Sequence, residues 1–89
     1  MRAVITVIGT DKVGIIAGVS SILSESNVNI LDITQTTMQE LFTMIMLVDT
    51  SKANINFEAL AGKLDARGEE LGLKIRIQHE DIFKSMHEI

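Results

Sequence analysis

Gly9-Thr10-Asp11-Lys12-Val13-Gly14-Ile15-Ile16-Ala17 is the stretch that decides how this chain is read. Before it, residues 2–8 form a nearly continuous apolar run rich in β-branched residues, the pattern of a strand that is central in its sheet or covered on both faces. After it, Ile15, Ile16, Val19, Ile22 and Leu23 recur at helical spacing, with Ser20, Ser21, Ser24 and Glu25 opposite, so an amphipathic helix of about three to four turns follows. Asp11 is the expected N-cap of that helix. Backbone N–H groups at a helix start lack intrahelical partners and carry the positive end of the helix dipole, which makes the turn a seat for a small carboxylate or phosphate. A plain strand-to-helix connection is the other use of the same residues.

Working outward, Asn27 or Asn29 suits the turn that ends the helix. Residues 29–39 are β-branched and half polar, as in an edge or partly exposed strand. Leu41 to Val48 follows after a very short link, which predicts a hairpin, although Gln39-Glu40 lacks the Asn-Gly signature of a tight primed turn. In this third strand Phe42, Met44, Met46 and Val48 lie on one face and Ile45 and Leu47 on the other, so both faces carry apolar side chains. The methionines Met38, Met44 and Met46 at strand spacing read as core or subunit interface. Asn56 then caps a second helix with the stripe Phe57, Leu60, Ala61, Leu64 and Leu71, ending at Gly72. Gly62 and Gly68 weaken it by roughly 1 kcal/mol each relative to alanine. Leu73, Ile75 and Ile77 alternate with Lys74, Arg76 and Gln78 as a fourth strand. Residues 81–89 form a short C-terminal helix, Asp81 at its cap and Ile82, Phe83, Met86 and Ile89 on one face.

The order predicts an α+β fold of the ferredoxin-like βαββαβ plan, a four-stranded antiparallel sheet with two helices on one face and a short C-terminal helix added. The 89 residues are 46% hydrophobic and 22% charged, the composition of one globular domain, and at this size burial by a second subunit would add stability. With no cysteine there is no disulfide framework or thiolate zinc site, and a reducing, cytoplasmic setting is expected. No apolar run approaches the ~20 residues of a membrane span, nor the core of a signal peptide. The formal charge of −4 is divided evenly between the halves, and with no Trp or Tyr and three Phe the chain lacks the basic and aromatic footprint of direct nucleic-acid binding.

Catalytic readings find little support. Gly9 to Gly14 has the glycine spacing of a P-loop, but Ile15-Ile16 stands where the phosphate lysine and magnesium hydroxyl belong, and no dinucleotide fingerprint is present. His79 and His87 have Glu80, Asp81 and Glu88 beside them, yet adjacent strand residues point to opposite faces, so no metal site is expected. Asp32 and Asp49 fall on different strands as solvated carboxylates, and no histidine is placed to activate a serine. A phosphatase on this plan would want an arginine in the first turn, where Lys12 is a poorer bidentate clamp.

Asp11-Lys12-Val13-Gly14-Ile15-Ile16-Ala17, the helix from Gly18 to Ser26 and Asn27-Val28-Asn29-Ile30-Leu31-Asp32 together resemble the ACT domain, a small regulatory module of the ferredoxin-like plan. The resemblance makes residues 1–80 an ACT-like domain and 81–89 a helical extension of it. The tail from His79 to His87 is similar to that of small stand-alone ACT proteins of uncharacterised role, and to one half of a glycine cleavage system transcriptional repressor. The family implies a non-enzymatic regulatory protein, without a cofactor, that binds an amino acid or similar small metabolite between paired domains, hence a homodimer. The implied ligand residues are Asp11, Lys12, Gly14 and Ile15 in the turn, with Asn29 as the asparagine opening the second strand; Ile15 and Ile30 would line an apolar side. Two positions depart from the family pattern: Val13 replaces a common proline, and Gly9 stands where a polar ligand contact is frequent. ACT-like domains that bind no ligand also exist, so a protein-interaction module acting on a transcription or metabolic partner is the alternative.

Overall fold

The computed structural model describes residues 1–10 and 12–87. Its elements run β1 (Arg2–Gly9), α1 (Lys12–Glu25), β2 (Asn29–Met38), β3 (Leu41–Asp49), α2 (Phe57–Leu71), β4 (Lys74–His79) and α3 (Glu80–His87). The strands form one antiparallel sheet in the order β2-β3-β1-β4, so the apolar first strand is central, as its composition predicts. This is the ferredoxin-like plan with a short third helix.

Alternation along the strands decides which side chains meet the helices. Ala3, Ile5 and Val7 of β1 lie level with Val48, Met46 and Met44 of β3, and with Ile15, Val19, Ile22 and Leu23 of α1 and Leu60 and Leu64 of α2 they make the buried core. Both helices stop where the sequence tells them to. Asn27 adopts a left-handed φ of 57° after α1, while the Val28 N–H donates to the Leu23 carbonyl at 2.9 Å and the Asn27 N–H to the Ser24 carbonyl at 3.2 Å. Gly72 repeats the motif after α2 with φ 69°, and the Leu73 N–H reaches the Gly68 carbonyl at 2.8 Å. At the other end of α2 the Asn56 side chain accepts from the Ala59 N–H at 2.7 Å, the expected cap.

The glycines of α2 differ in kind. A Cβ at Gly62 would meet nothing within 4 Å, whereas one at Gly68 would sit 3.1 Å from the Leu73 carbonyl oxygen, so only Gly68 is required by packing. A similar close approach joins the helices: a Cβ at Gly18 would come 2.9 Å from Leu71 Cδ1, and Arg67 Nη1 donates to the Gly18 carbonyl at 3.3 Å. The hairpin loop is Gln39-Glu40, with positive φ at Gln39 (54°).

The helices cover β3, β1 and β4 but not β2, every residue of which is exposed. A bulge at Leu31 shifts the register between Ile30 and Asp32, so Ile30 pairs with Val48 and Ile33 with Met46. Both isoleucines thereby point to the helix side of the sheet, where they remain 38% and 42% exposed. The C-terminal helix lies over the opposite, open face. Glu80, Phe83 and Lys84 share one row of it that faces the sheet, and Arg2 pairs with Glu80 at 2.7 Å to hold its first turn. Of the predicted apolar stripe, Phe83 is half-buried and Ile82 is exposed, because a helix that begins at Glu80 turns Ile82 away from the sheet. The side chain of Met86 and all of Ile89 lie outside the described residues.

Candidate functional site

Of the six residues expected to hold a ligand, Asp11 lies outside the described residues. Lys12 and Gly14 occupy the first turn of α1. Ile15 is 0% exposed and belongs to the core, so its backbone, not its side chain, is what that position can offer a ligand. A Cβ at Gly9 would fall within 2.8 Å of Ile15 Cδ1 and 2.3 Å of Leu73 Cδ2. The glycine thus sits where side chains beneath the turn have filled the space.

Asn29 and Ile30 are elsewhere. Gly9 lies across from Phe42, which lies across from Thr37, while Asn29 lies across from Asp49, which lies across from Arg2. The turn and Asn29 therefore occupy opposite ends of the sheet, separated by about 25 Å, the length of an eight-residue strand at ~3.3 Å per residue. One chain does not bring them together.

The Asn29 end has a concavity of its own, about 420 Å³, lined by Ser24, Asn27, Asn29, Asp49, Ser51 and Lys52. Asp49 Oδ1 accepts from the Ser51 N–H at 2.9 Å and lies 3.6 Å from the Met1 amino group. The Ser51 backbone bond first, then the Ser51 side chain and the Met1 charge, hold this carboxyl below the ordinary carboxylate range. Asn27 Nδ2 donates to the Lys52 carbonyl at 2.8 Å and Asn54 Nδ2 to the Glu25 carbonyl at 2.9 Å, pinning the loop of residues 50–56 to the end of α1. An ammonium would find Asp49 here, and a carboxylate would find Lys52 and the asparagine amides. Residues 49–56 carry no motif that marks a site; the signal in the chain is the hairpin itself, whose register sets Asp49 opposite Asn29.

His79 stacks on Phe57 with ring centroids 4.2 Å apart and planes inclined by 14°, a junction between β4 and the start of α2. Among the described residues no group of three or more His, Cys, Asp or Glu could hold a metal ion, and no helix is long and apolar enough to cross a membrane.

Comparison with known proteins follows the same lines. The ACT domain model matches residues 2–78. A UPF0237 protein of Clostridium acetobutylicum is 60% identical over 89 residues, covering 100% of both chains. An ACT domain protein from Streptococcus pneumoniae superimposes with a TM-score of 0.80 at 45% identity, over 98% of each chain. A candidate glycine cleavage system transcriptional repressor gives a TM-score of 0.74 at 27% identity, with 86% of this chain matching 44% of that one. With its strand order, its turn and these relatives agreeing, the chain belongs to the ACT domain family, among the UPF0237 proteins.

Proposed function

We propose that the chain is a non-enzymatic regulatory domain that binds an amino acid or a similar small metabolite where two copies meet. The observation that carries this reading is β2, ten residues long and exposed throughout, with Ile30, Leu31 and Ile33 presented along a free sheet edge. Val13, 78% exposed at the start of α1, and Met38 and Leu41 at the hairpin add to the apolar surface outside the core. Two copies pairing β2 antiparallel about a two-fold axis would extend the sheet to eight strands. The same operation sets Asn29 of one copy beside the Met38 end of the other, the end at which the β1–α1 turn lies. The halves of the expected site, separated within one chain, would then meet twice per dimer. Backbone N–H groups at the start of α1, those of Lys12 and Ile15 among them, would take the ligand carboxylate, and Asn29 with Asp49 its ammonium.

The test is a thermal-unfolding screen of dialysed protein against the amino acids and a small metabolite panel, paired with light scattering. A ligand at 100 times its Kd adds about 2.7 kcal/mol of stability. The reading expects an upward shift with one ligand, a dimeric mass, and a loss of about 1–3 kcal/mol of binding energy in Asn29→Ala, where a buried polar pairing goes. A monomer at micromolar concentration that responds to nothing would overturn it. A silent dimer would favour a ligand-free interaction module, for which the likeness to the candidate repressor supplies a motive.

A further inference from the structure

The open face of the sheet, on the side away from α1 and α2, has a second chemistry. Its side chains fall in rows across the strands: Leu47, Val4 and Gln78; then Ile45, Thr6 and Arg76; then Thr43, Ile8 and Lys74. Helix α3 crosses this face, and Phe83 divides it into two hollows by lining both. The hollow toward β2, about 260 Å³, contains Asp32, Glu80 and Lys84, so its charges oppose one another. The hollow toward β4, about 590 Å³, is different. Ile8, Ile45 and Phe83 give it an apolar floor and wall, and its charged groups are Lys74 and Arg76. These two are alternate residues of one strand, roughly 6.6 Å apart along it, and both project on the open side.

Among the described residues no ion pair engages Lys74 or Arg76 and no carboxylate lines this hollow, while on its other side Lys74 borders a smaller hollow with Asp65 and Glu69. In a chain of net charge −4, two such cations beside an exposed isoleucine are a local reversal of the overall sign. The geometry points to a binding site for a small amphipathic anion: a medium-chain acyl or aryl carboxylate, its head on Arg76 and Lys74 at the β4 edge. Its apolar body lies over Ile8 and Ile45 against Phe83. Crossing from β4 over β1 to β3 is two strand spacings, about 10 Å, the reach of an eight-carbon acyl chain. Arginine at the head position gives a planar bidentate fit to a carboxylate, and lysine adds a point charge. The hollow is within the size range of small-molecule sites. It is on the opposite face from the core helices and does not depend on pairing through β2.

Calorimetric titration and thermal unfolding with octanoate, butyrate and octylamine test the assignment. Octanoate is expected to bind and raise the Tm, butyrate to bind far more weakly because it leaves Ile45 and Phe83 uncovered, and octylamine to give no response. Arg76→Ala and Lys74→Ala, both at exposed positions outside the core, are each expected to lower octanoate affinity by about tenfold or more. Phe83→Leu keeps an apolar side chain for α3 to pack with and is expected to weaken octanoate without altering the small effect of butyrate. Absence of an octanoate response at millimolar concentration overturns the proposal, as does equal binding of octylamine or an affinity unmoved in the Arg76 and Lys74 variants. A mass that halves in Arg76→Glu with no octanoate response assigns this face to a second copy of the chain and overturns it also.

Discussion

Gly62 and Gly68 are six residues apart on one helix, and the same substitution has opposite consequences at the two. At Gly62 an added methyl group meets nothing, so Gly62→Ala is expected to stabilise the protein by about 1 kcal/mol through the lower conformational freedom of the unfolded chain. At Gly68 it presses on the carbonyl oxygen of Leu73, the residue whose N–H donates to the Gly68 carbonyl to close α2, so Gly68→Ala is expected to lower the melting temperature. Thermal denaturation of the two variants side by side reads both signs. Asp49 is the titrating counterpart. Its carboxyl is held below its ordinary value by the Ser51 bonds and the Met1 charge, so it contributes stability that is fully present above the unfolded-state pKa and is lost as pH falls through the lower folded-state one. Asp49→Asn is expected to melt below the wild type at neutral pH and to converge with it in acid. A gap unchanged down the titration would remove the charge from the account.

At the scale of an element, β2 is the strand that the fold leaves unfinished. Ile33 is already exposed in one chain, so Ile33→Lys has little intrachain core to damage, and it puts a charge on the edge proposed for pairing. The expected result is an intact far-UV circular dichroism spectrum with the mass of a monomer; a dimer that persists would place the interface elsewhere. Asn56→Ala is expected to cost about 1 kcal/mol, since the Ala59 N–H loses its acceptor. Much of this architecture was legible in the chain. Asn56 and Gly72 bracket α2 as local chemistry dictates, and the β-branched run of residues 2–8 marks the central strand because its neighbours bury it on both sides. The bulge at Leu31 was not legible. Without it, Ile30 and Ile33 differ by an odd number of residues and would point to opposite faces, and nothing local distinguishes Leu31 as the extra residue. The distance between the turn and Asn29 has another source: the family likeness names the residues of a site between paired domains, whereas their separation within one chain follows from antiparallel register. Ile15 belongs both to the implied ligand set and to a helical stripe, and its side chain is enclosed by the core.

For the molecule as a whole, a domain of 89 residues buries about 60–65% of its unfolded surface, which leaves stability sensitive to any further cover. If two copies complete the β2 edge, folding and association are linked, and the melting temperature is expected to climb with protein concentration. Scanning calorimetry across a hundredfold range of concentration checks this, and a constant melting temperature would mean that association adds nothing. The place of β1 has an effect of another kind. It is the first strand to be synthesised, yet its neighbours are residues 42–49 and 74–79, with Val7 waiting for Met44 on one side and Ile75 on the other. At roughly 5–20 residues per second, translation needs on the order of 3–13 s to deliver the later partner. Throughout that interval the nascent chain carries an apolar strand with an open edge, so the hazard of aggregation falls during synthesis, before residues 74–79 arrive to close the sheet.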